Sequence, residues 1–145
     1  MSRRLGVLVA LLAFAGACVG PARTDAAYED KASETASSIV SAARTVLLAA
    51  RVGGDDGFAP TITVTVADAE ADAASARDAF VSIQPPSATS DDLRAALIPD
   101  VQRAVEIIEL VRIAARRADT ARLGEIAAPL RAIADRLDRF PAGYG

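Results

Sequence analysis

Cys18 is the only cysteine in the 145-residue chain, and its thiol is the one nucleophilic side chain whose surroundings indicate a specific chemistry. Arg3 and Arg4 precede an uncharged, largely apolar run over residues 5–17, which ends in small residues directly before the cysteine. This order is typical of a secretory signal. Because a lone cysteine in an exported chain has no disulfide partner in the same chain, we expect Cys18 to carry a modification.

The modification that fits this setting is acylation. The residues Ala15-Gly16-Ala17-Cys18 resemble the lipobox of bacterial lipoproteins, and they depart from it at Ala15, where a larger aliphatic residue is usual. The resemblance implies cleavage between Ala17 and Cys18 and acylation of Cys18, for example with palmitate. Each buried CH2 contributes about 0.8 kcal/mol, so several acyl chains would hold the protein firmly on a membrane.

Two other fates of this segment remain open. Ala15 and Ala17 also satisfy the rule for ordinary signal cleavage, which would release a secreted soluble helical protein with a free Cys18 thiol. An uncleaved membrane anchor is less favoured. A helix over residues 5–19 would span about 22 Å at about 1.5 Å per residue, whereas the hydrocarbon core of a bilayer is about 30 Å thick.

The residues needed for most enzyme chemistry are missing from the sequence. There is no histidine, which removes the usual general base, the ordinary zinc sites and the ligands of di-iron bundles. Lys31 is the only lysine and does not belong to a Ser-x-x-Lys motif. We therefore predict a non-enzymatic protein with no catalytic residues, no metal and no cofactor.

The charge balance excludes nucleic acid as a partner. The formal net charge is −3, and removal of Arg3 and Arg4 with the signal would leave −5. A basic stripe of the kind that binds phosphates is absent.

Four apolar seams, spaced alternately by four and three residues, predict four amphipathic helices at about residues 25–51, 61–83, 91–118 and 120–140. Ile107, Leu110 and Ile113 widen the apolar face of the third helix. The seams consist of Tyr28, Ala32, Thr35, Ile39, Ala42, Val46 and Ala49; Ile62, Val66, Ala69, Ala73, Ala76, Phe80 and Ile83; Leu97, Val101, Ala104, Ile108, Val111, Ala115 and Ala118; and Leu123, Ile126, Leu130, Ile133, Leu137 and Phe140.

Local signals leave some details of these helices open. Residues 61–66 alternate threonine with β-branched apolar residues, as in a strand, although no other stretch offers a partner strand. Asp25 is the expected cap of the first helix, and Thr89 or Ser90 that of the third. Pro99 predicts a kink or a fresh start in the third helix, and Pro129 a bend or break in the fourth.

The predicted architecture is all-α, an antiparallel up-down-up-down four-helix bundle behind an N-terminal signal segment. Residues 1–17 would form the signal peptide, residues 18–24 the lipidated cysteine and its tether, residues 25–141 the bundle and residues 142–145 a tail. In this topology both chain ends lie at the membrane side, and the connections near residues 53–59 and 118–120 form the opposite tip.

Charged residues near that tip are candidate partner contacts: Asp55, Asp56, Arg112, Arg116 and Arg117. The simpler interpretation of the arginines is that they stabilise the carboxyl end of a helix dipole. Asp55-Asp56-Gly57 lacks the further ligands of a calcium loop, so a solvated turn is favoured. Arg103, Glu106, Glu109 and Arg112 follow one another at a spacing of three residues, which predicts a surface ladder of ion pairs.

The whole outline resembles small uncharacterised lipoproteins of actinobacteria. The phrases Gln84-Pro85-Pro86-Ser87 and residues 112–117 (RIAARR) look like segments that recur in such proteins. The resemblance implies a lipid-anchored helical protein and no particular activity.

The leading hypothesis is therefore a membrane-anchored lipoprotein on the outer face of the cytoplasmic membrane, which acts as an interaction or scaffold module for an envelope protein. The alternative is a carrier or sensor of a small apolar ligand. Its cavity would lie near Pro99 and Pro129 and would be lined by Leu97, Val101, Leu130 and Ile133.

Overall fold

Helices form the whole of the regular structure in the described part of the chain. The computed structural model describes residues 22–53 and 59–140, in which there is no strand. The helices are α1 (Asp25–Gly53), α2 (Ala59–Val81), α3 (Ala88–Arg116), α4 (Thr120–Ala127) and α5 (Pro129–Asp138). α4 and α5 both pack against α1 and α3, so together they take the place of one helix of the bundle. The predicted all-α four-helix bundle is therefore confirmed. None of these helices is long and apolar enough to cross a membrane.

Like α3, α1 packs against all the other helices. Near its start, Tyr28 meets Phe80 from the end of α2, with ring centroids 5.2 Å apart. At its other end, Gly53 lies against Ile62 and Leu123, from the beginnings of α2 and α4. A Cβ at Gly53 would lie 3.0 Å from Ile62 Cδ1, so glycine permits this close approach. The order of these contacts makes α1 antiparallel to α2 and to α4.

The buried side chains follow the predicted seams with few exceptions. Every predicted seam position of α1 is buried, and a single core runs through the bundle. Ala76, Ile126 and Phe140 are partly buried and pack against that core. Two expectations are wrong: Leu110 is 50% exposed, and Ala118 is exposed because it lies beyond the end of α3.

Residues 61–66 are helical, so the strand interpretation of their alternation is wrong. On a strand, Ile62, Val64 and Val66 would share one face. In the structure Ile62 and Val66 are buried in the core, whereas Val64 is 60% exposed. Without a partner strand to pair with, the segment satisfies its backbone groups and buries its apolar side chains as a helix.

The caps of α1 and α3 differ from the expected ones. The Thr24 hydroxyl, and not Asp25, accepts a hydrogen bond from the Ala27 N–H at 3.2 Å. At α3 the cap is Ser87, whose hydroxyl accepts from the Ser90 N–H at 3.2 Å. The third helix thus begins at Ala88, three residues before the predicted position.

The two internal prolines have different effects. α3 continues without a break through Pro99, which corrects the expected fresh start at that position. Because Pro99 has no N–H, the carbonyl of Ala95 loses its helical hydrogen bond. Both residues are exposed, so water can donate to that carbonyl instead. Where the sequence predicts a bend or break at Pro129, the structure has a break: α4 ends at Ala127, and Pro129 starts α5, a position that suits proline.

The end of α3 explains the exposure of Ala118. Its φ of 53° places it in the left-handed region, in which glycine is usual after a helix. The Ala118 N–H donates to Ala115 O and the Asp119 N–H donates to Ala114 O, both at 3.1 Å. These two hydrogen bonds form a Schellman motif, which turns the chain out of the seam.

Substitution of Ile108 tests the core. Ile108 is fully buried, and Ile108→Asp would bury a carboxylate without a partner, at a cost of about 4 kcal/mol or more. Since such a loss is comparable with the whole stability of a small domain, we expect cooperative thermal unfolding, followed by circular dichroism, to disappear. Leu110→Asp, on the same helix at a half-exposed position, is the control and should melt almost as the parent does. A normal melt for Ile108→Asp would contradict this core.

Candidate functional site

The end of the bundle nearest Cys18 in sequence, called here the proximal end, is held by a cluster of hydroxyl groups around one carboxylate. Asp25 Oδ1 accepts hydrogen bonds from Ser87 at 2.5 Å and from Ser90 at 2.7 Å. These bonds join the start of α1 to the start of α3. They lower the pKa of Asp25, with the bond from Ser87 as the larger cause, because hydrogen bonds to a carboxylate favour its charged form.

Arg94 secures the neighbouring end of α2. Its guanidinium donates to Ile83 O at 2.8 Å and to Val81 O at 2.9 Å, so it satisfies carbonyls that have no partner within the helix. Tyr28 is fully buried nearby, and its burial raises the pKa of the phenol. The Tyr28 hydroxyl therefore stays protonated at neutral pH, and we assign both residues a structural role.

The opposite end, called here the distal end, contains Gly53, Arg116 and Leu123. Arg116 and Arg117 are exposed there, and neither makes an ion pair with any residue in the described ranges. Arg116 and Arg117 are thus accessible to a partner, as the hypothesis of a contact surface requires.

The other candidate residues are placed differently or lie outside the described residues. Arg112 is mostly buried and pairs with Glu70 of α2, so it links two helices. Of the predicted ladder on α3, the pair Arg103–Glu106 is present at 3.1 Å. The ladder does not extend to Arg112, because Glu70 holds its guanidinium. Ala17, Cys18, Asp55 and Asp56 lie outside the described residues.

A long groove runs between α1 and α2. It has a volume of about 580 Å³ and is continued towards the proximal end by a smaller groove that shares Ser38, Ala76 and Ala79 with it. Small side chains such as Ser38, Ala42 and Thr45 of α1 form one wall, and Asp68 and Asp72 stand on the other. The groove exists because small residues cover the outer side of this helix pair incompletely.

A second groove, between α1 and α5, was not anticipated from the sequence. It has a volume of about 300 Å³ and lies in the half of α1 nearer the distal end. Its lining residues are Arg44, Leu47, Leu48, Arg51, Arg131, Ala134 and Asp135. The spacing of Arg44, Leu47, Leu48 and Arg51 on one helix could have indicated such a face, but the contribution of α5 depends on tertiary packing.

The residues expected to line a carrier cavity belong to the packed core. Leu97, Val101 and Leu130 are fully buried and Ile133 is 4% exposed, and α3 does not break at Pro99. This packing adds no support for the carrier hypothesis. Within residues 22–53 and 59–140 there is no group of three or more acidic or cysteine side chains that could hold a metal ion.

Comparisons with protein-family models, with curated proteins and with solved structures gave no match.

The Asp25 cluster predicts a pH dependence of stability. Because the folded state lowers the pKa of Asp25 below its ordinary value of 3.8, the ionised side chain stabilises the fold above that pH. This stabilisation is lost as the pH falls through the lower, folded value. We expect Asp25→Asn to lower the melting temperature at pH 6, and the difference from the parent to shrink steadily below about pH 4.

Thermal melts at a series of pH values measure this effect. Asp30→Asn is the control, since Asp30 is exposed on the same helix and makes no contact with α3 comparable to that of Asp25. An equal loss at pH 6 and pH 3 for Asp25→Asn would contradict the ionic role of this carboxylate.

Proposed function

We propose that this protein is a non-enzymatic, lipid-anchored interaction module of the bacterial cell envelope. In this proposal acylated Cys18 holds the chain on the outer face of the cytoplasmic membrane, and the helical bundle binds another envelope protein. The signal-like residues before Cys18 support export, and the lipobox-like residues support the anchor.

With an anchor at Cys18, the position of α1 determines which end of the bundle would lie near the membrane. α1 begins at Asp25, seven residues after Cys18, and seven extended residues reach at most about 25 Å. An anchor at Cys18 would therefore keep the proximal end near lipid. The 29 residues of α1 span about 43 Å at about 1.5 Å per residue, so the distal end would project away from the membrane.

The main support for a binding role is that three large apolar side chains are exposed in the half of the bundle nearer the distal end. Leu48 is 60% exposed and Val52 is 50% exposed, one turn apart on α1, and Val64 near the start of α2 is 60% exposed. Because about half of each side chain is already covered, burying the rest against a partner is worth about 1–2 kcal/mol each. Arg51 lies one turn after Leu48 on α1 and is also exposed, and apolar side chains beside arginine suit a protein contact.

The anchor is tested by mass spectrometry of the full chain expressed in a bacterium that processes lipoproteins. We expect the membrane fraction to contain a mature protein that starts at Cys18 and carries its mass plus acyl chains. Cys18→Ser should abolish acylation and leave an unprocessed precursor, whereas Ser33→Cys in the Cys18→Ser background controls for the mere presence of a thiol and should not restore it. A secreted chain with an unmodified Cys18 thiol would overturn the anchor.

The binding role is tested by site-specific photo-crosslinking in intact membranes. A photoreactive residue at Val52, near the distal end, should give one discrete adduct of higher mass, because a partner would cover this side chain. The same residue at Glu29, which is exposed near the proximal end, is the control and should not give that adduct. The absence of any adduct from Val52, and likewise from Val64, would contradict the interaction role.

A further inference from the structure

The groove between α1 and α5 has more positively than negatively charged side chains in its lining. Arg44 and Arg51 are seven residues apart on α1, which places them on one side of the helix about 10 Å apart. Arg131 faces them from α5, with Asp135 one turn further along. The groove therefore has three arginines at its edges and one carboxylate.

Two of these arginines make no ion pair with an acidic residue in the part of the chain that the structure describes. Arg51 and Arg131 are exposed and make no ion pair with the residues of the described ranges. Arg44 donates to Asp138 Oδ2 at 3.0 Å, and both side chains of that pair are more than half exposed. Since exposed ion pairs contribute little, an incoming carboxylate can replace Asp138 at small cost.

The same groove presents apolar surface between its charges. Leu47 is partly buried and packs against the core, and Ala134 of α5 is 3% exposed. Beside them Leu48 projects with 60% of its surface exposed. Leu47 and Ala134 both line the groove, and a ligand's apolar side chain that enters it can pack against Leu47 and the exposed Leu48.

We propose that the α1–α5 groove binds an acidic segment of a partner protein, with two carboxylates about 10 Å apart on either side of one apolar side chain. Arginine suits this role, because its planar guanidinium can form two parallel hydrogen bonds with a carboxylate. Carboxylates seven residues apart on a helix have the same spacing as Arg44 and Arg51. The inference rests on the proposed interaction role and names the site and the chemistry of its partner.

The test uses the isotope-labelled full chain in detergent micelles and a synthetic helical peptide as the probe. The peptide is alanine-rich, with glutamate at its fourth and eleventh positions and a single leucine at its eighth. In a nuclear magnetic resonance titration, we expect the amide signals of Leu48, Arg51 and Arg131 to show the largest shifts. Arg51→Glu combined with Arg131→Glu should weaken binding about tenfold or more, through the loss of the Arg51 charge pair and the reversal of the Arg131 charge on the opposite wall.

The matched control combines Arg116→Glu with Arg117→Glu, which changes the net charge by the same amount at another surface and should leave the affinity within about twofold of the parent value. A probe with lysine in place of both glutamates should have a higher affinity for the Arg51→Glu, Arg131→Glu variant than for the parent protein. If that variant melts abnormally, Arg51→Gln combined with Arg131→Gln replaces it.

Several results would overturn the proposal. These are no binding at millimolar probe, signal shifts centred on Arg116 and Arg117, and equal weakening by both double variants, which would indicate unspecific charge attraction. Concentration-dependent self-association that is abolished by Arg51→Glu and Arg131→Glu would assign the groove to a second copy instead. Crosslinking from Val52 that persists while the probe fails would retain the interaction role and reject only this site.

Discussion

Close packing of alanine along α1 is the constraint on which the rest of the bundle depends. Ala32, Ala36, Ala43 and Ala50 are almost completely buried, and α1 packs against every other helix. Side chains of this size bring helix axes close together while keeping interior packing dense. Small side chains also affect the surface of the bundle. Where small residues such as Ser38 and Ala134 stand at a helix boundary, the surface is left with grooves.

Polar interactions have a different task, since they define the ends and the pairing of helices. Asp25 joins the starts of α1 and α3 through Ser87 and Ser90, and Arg94 satisfies carbonyls at the end of α2. On the sides, Arg136 donates two hydrogen bonds to Asp100 and so joins α5 to α3. Most of these groups are exposed, so each contributes little energy. These interactions nevertheless join the same helices that the apolar core brings together.

The proposed function assigns separate tasks to the two ends of this bundle. A lipid anchor at Cys18 would hold the proximal end near the membrane, because the tether is short. Most of the exposed large apolar side chains lie on the half nearer the distal end. Arg51, Arg116 and Arg117, which make no ion pair within the described residues, lie there as well, and a partner could approach this half without obstruction by lipid. The structural role of Arg112, which pairs with Glu70, removes it from the residues best suited to such contact. Arg51 and Arg131 are better suited, because both are exposed and neither makes an ion pair with a residue that the structure describes.

The sequence by itself determined the helical fold and nearly all of its core. The reason is that four-three spacing defines one face of a helix without knowledge of its neighbours, as the complete burial of the α1 seam shows. The break at Pro129 followed from the missing N–H in the same local way. Tertiary structure alone decided the outcomes that depend on two helices at once. It placed Asp25 against Ser87 rather than in a cap, turned Arg112 towards Glu70, and brought Arg131 opposite Arg44 and Arg51. Side chains from distant parts of the chain meet only when helices pack, so no local pattern could contain the groove that they form.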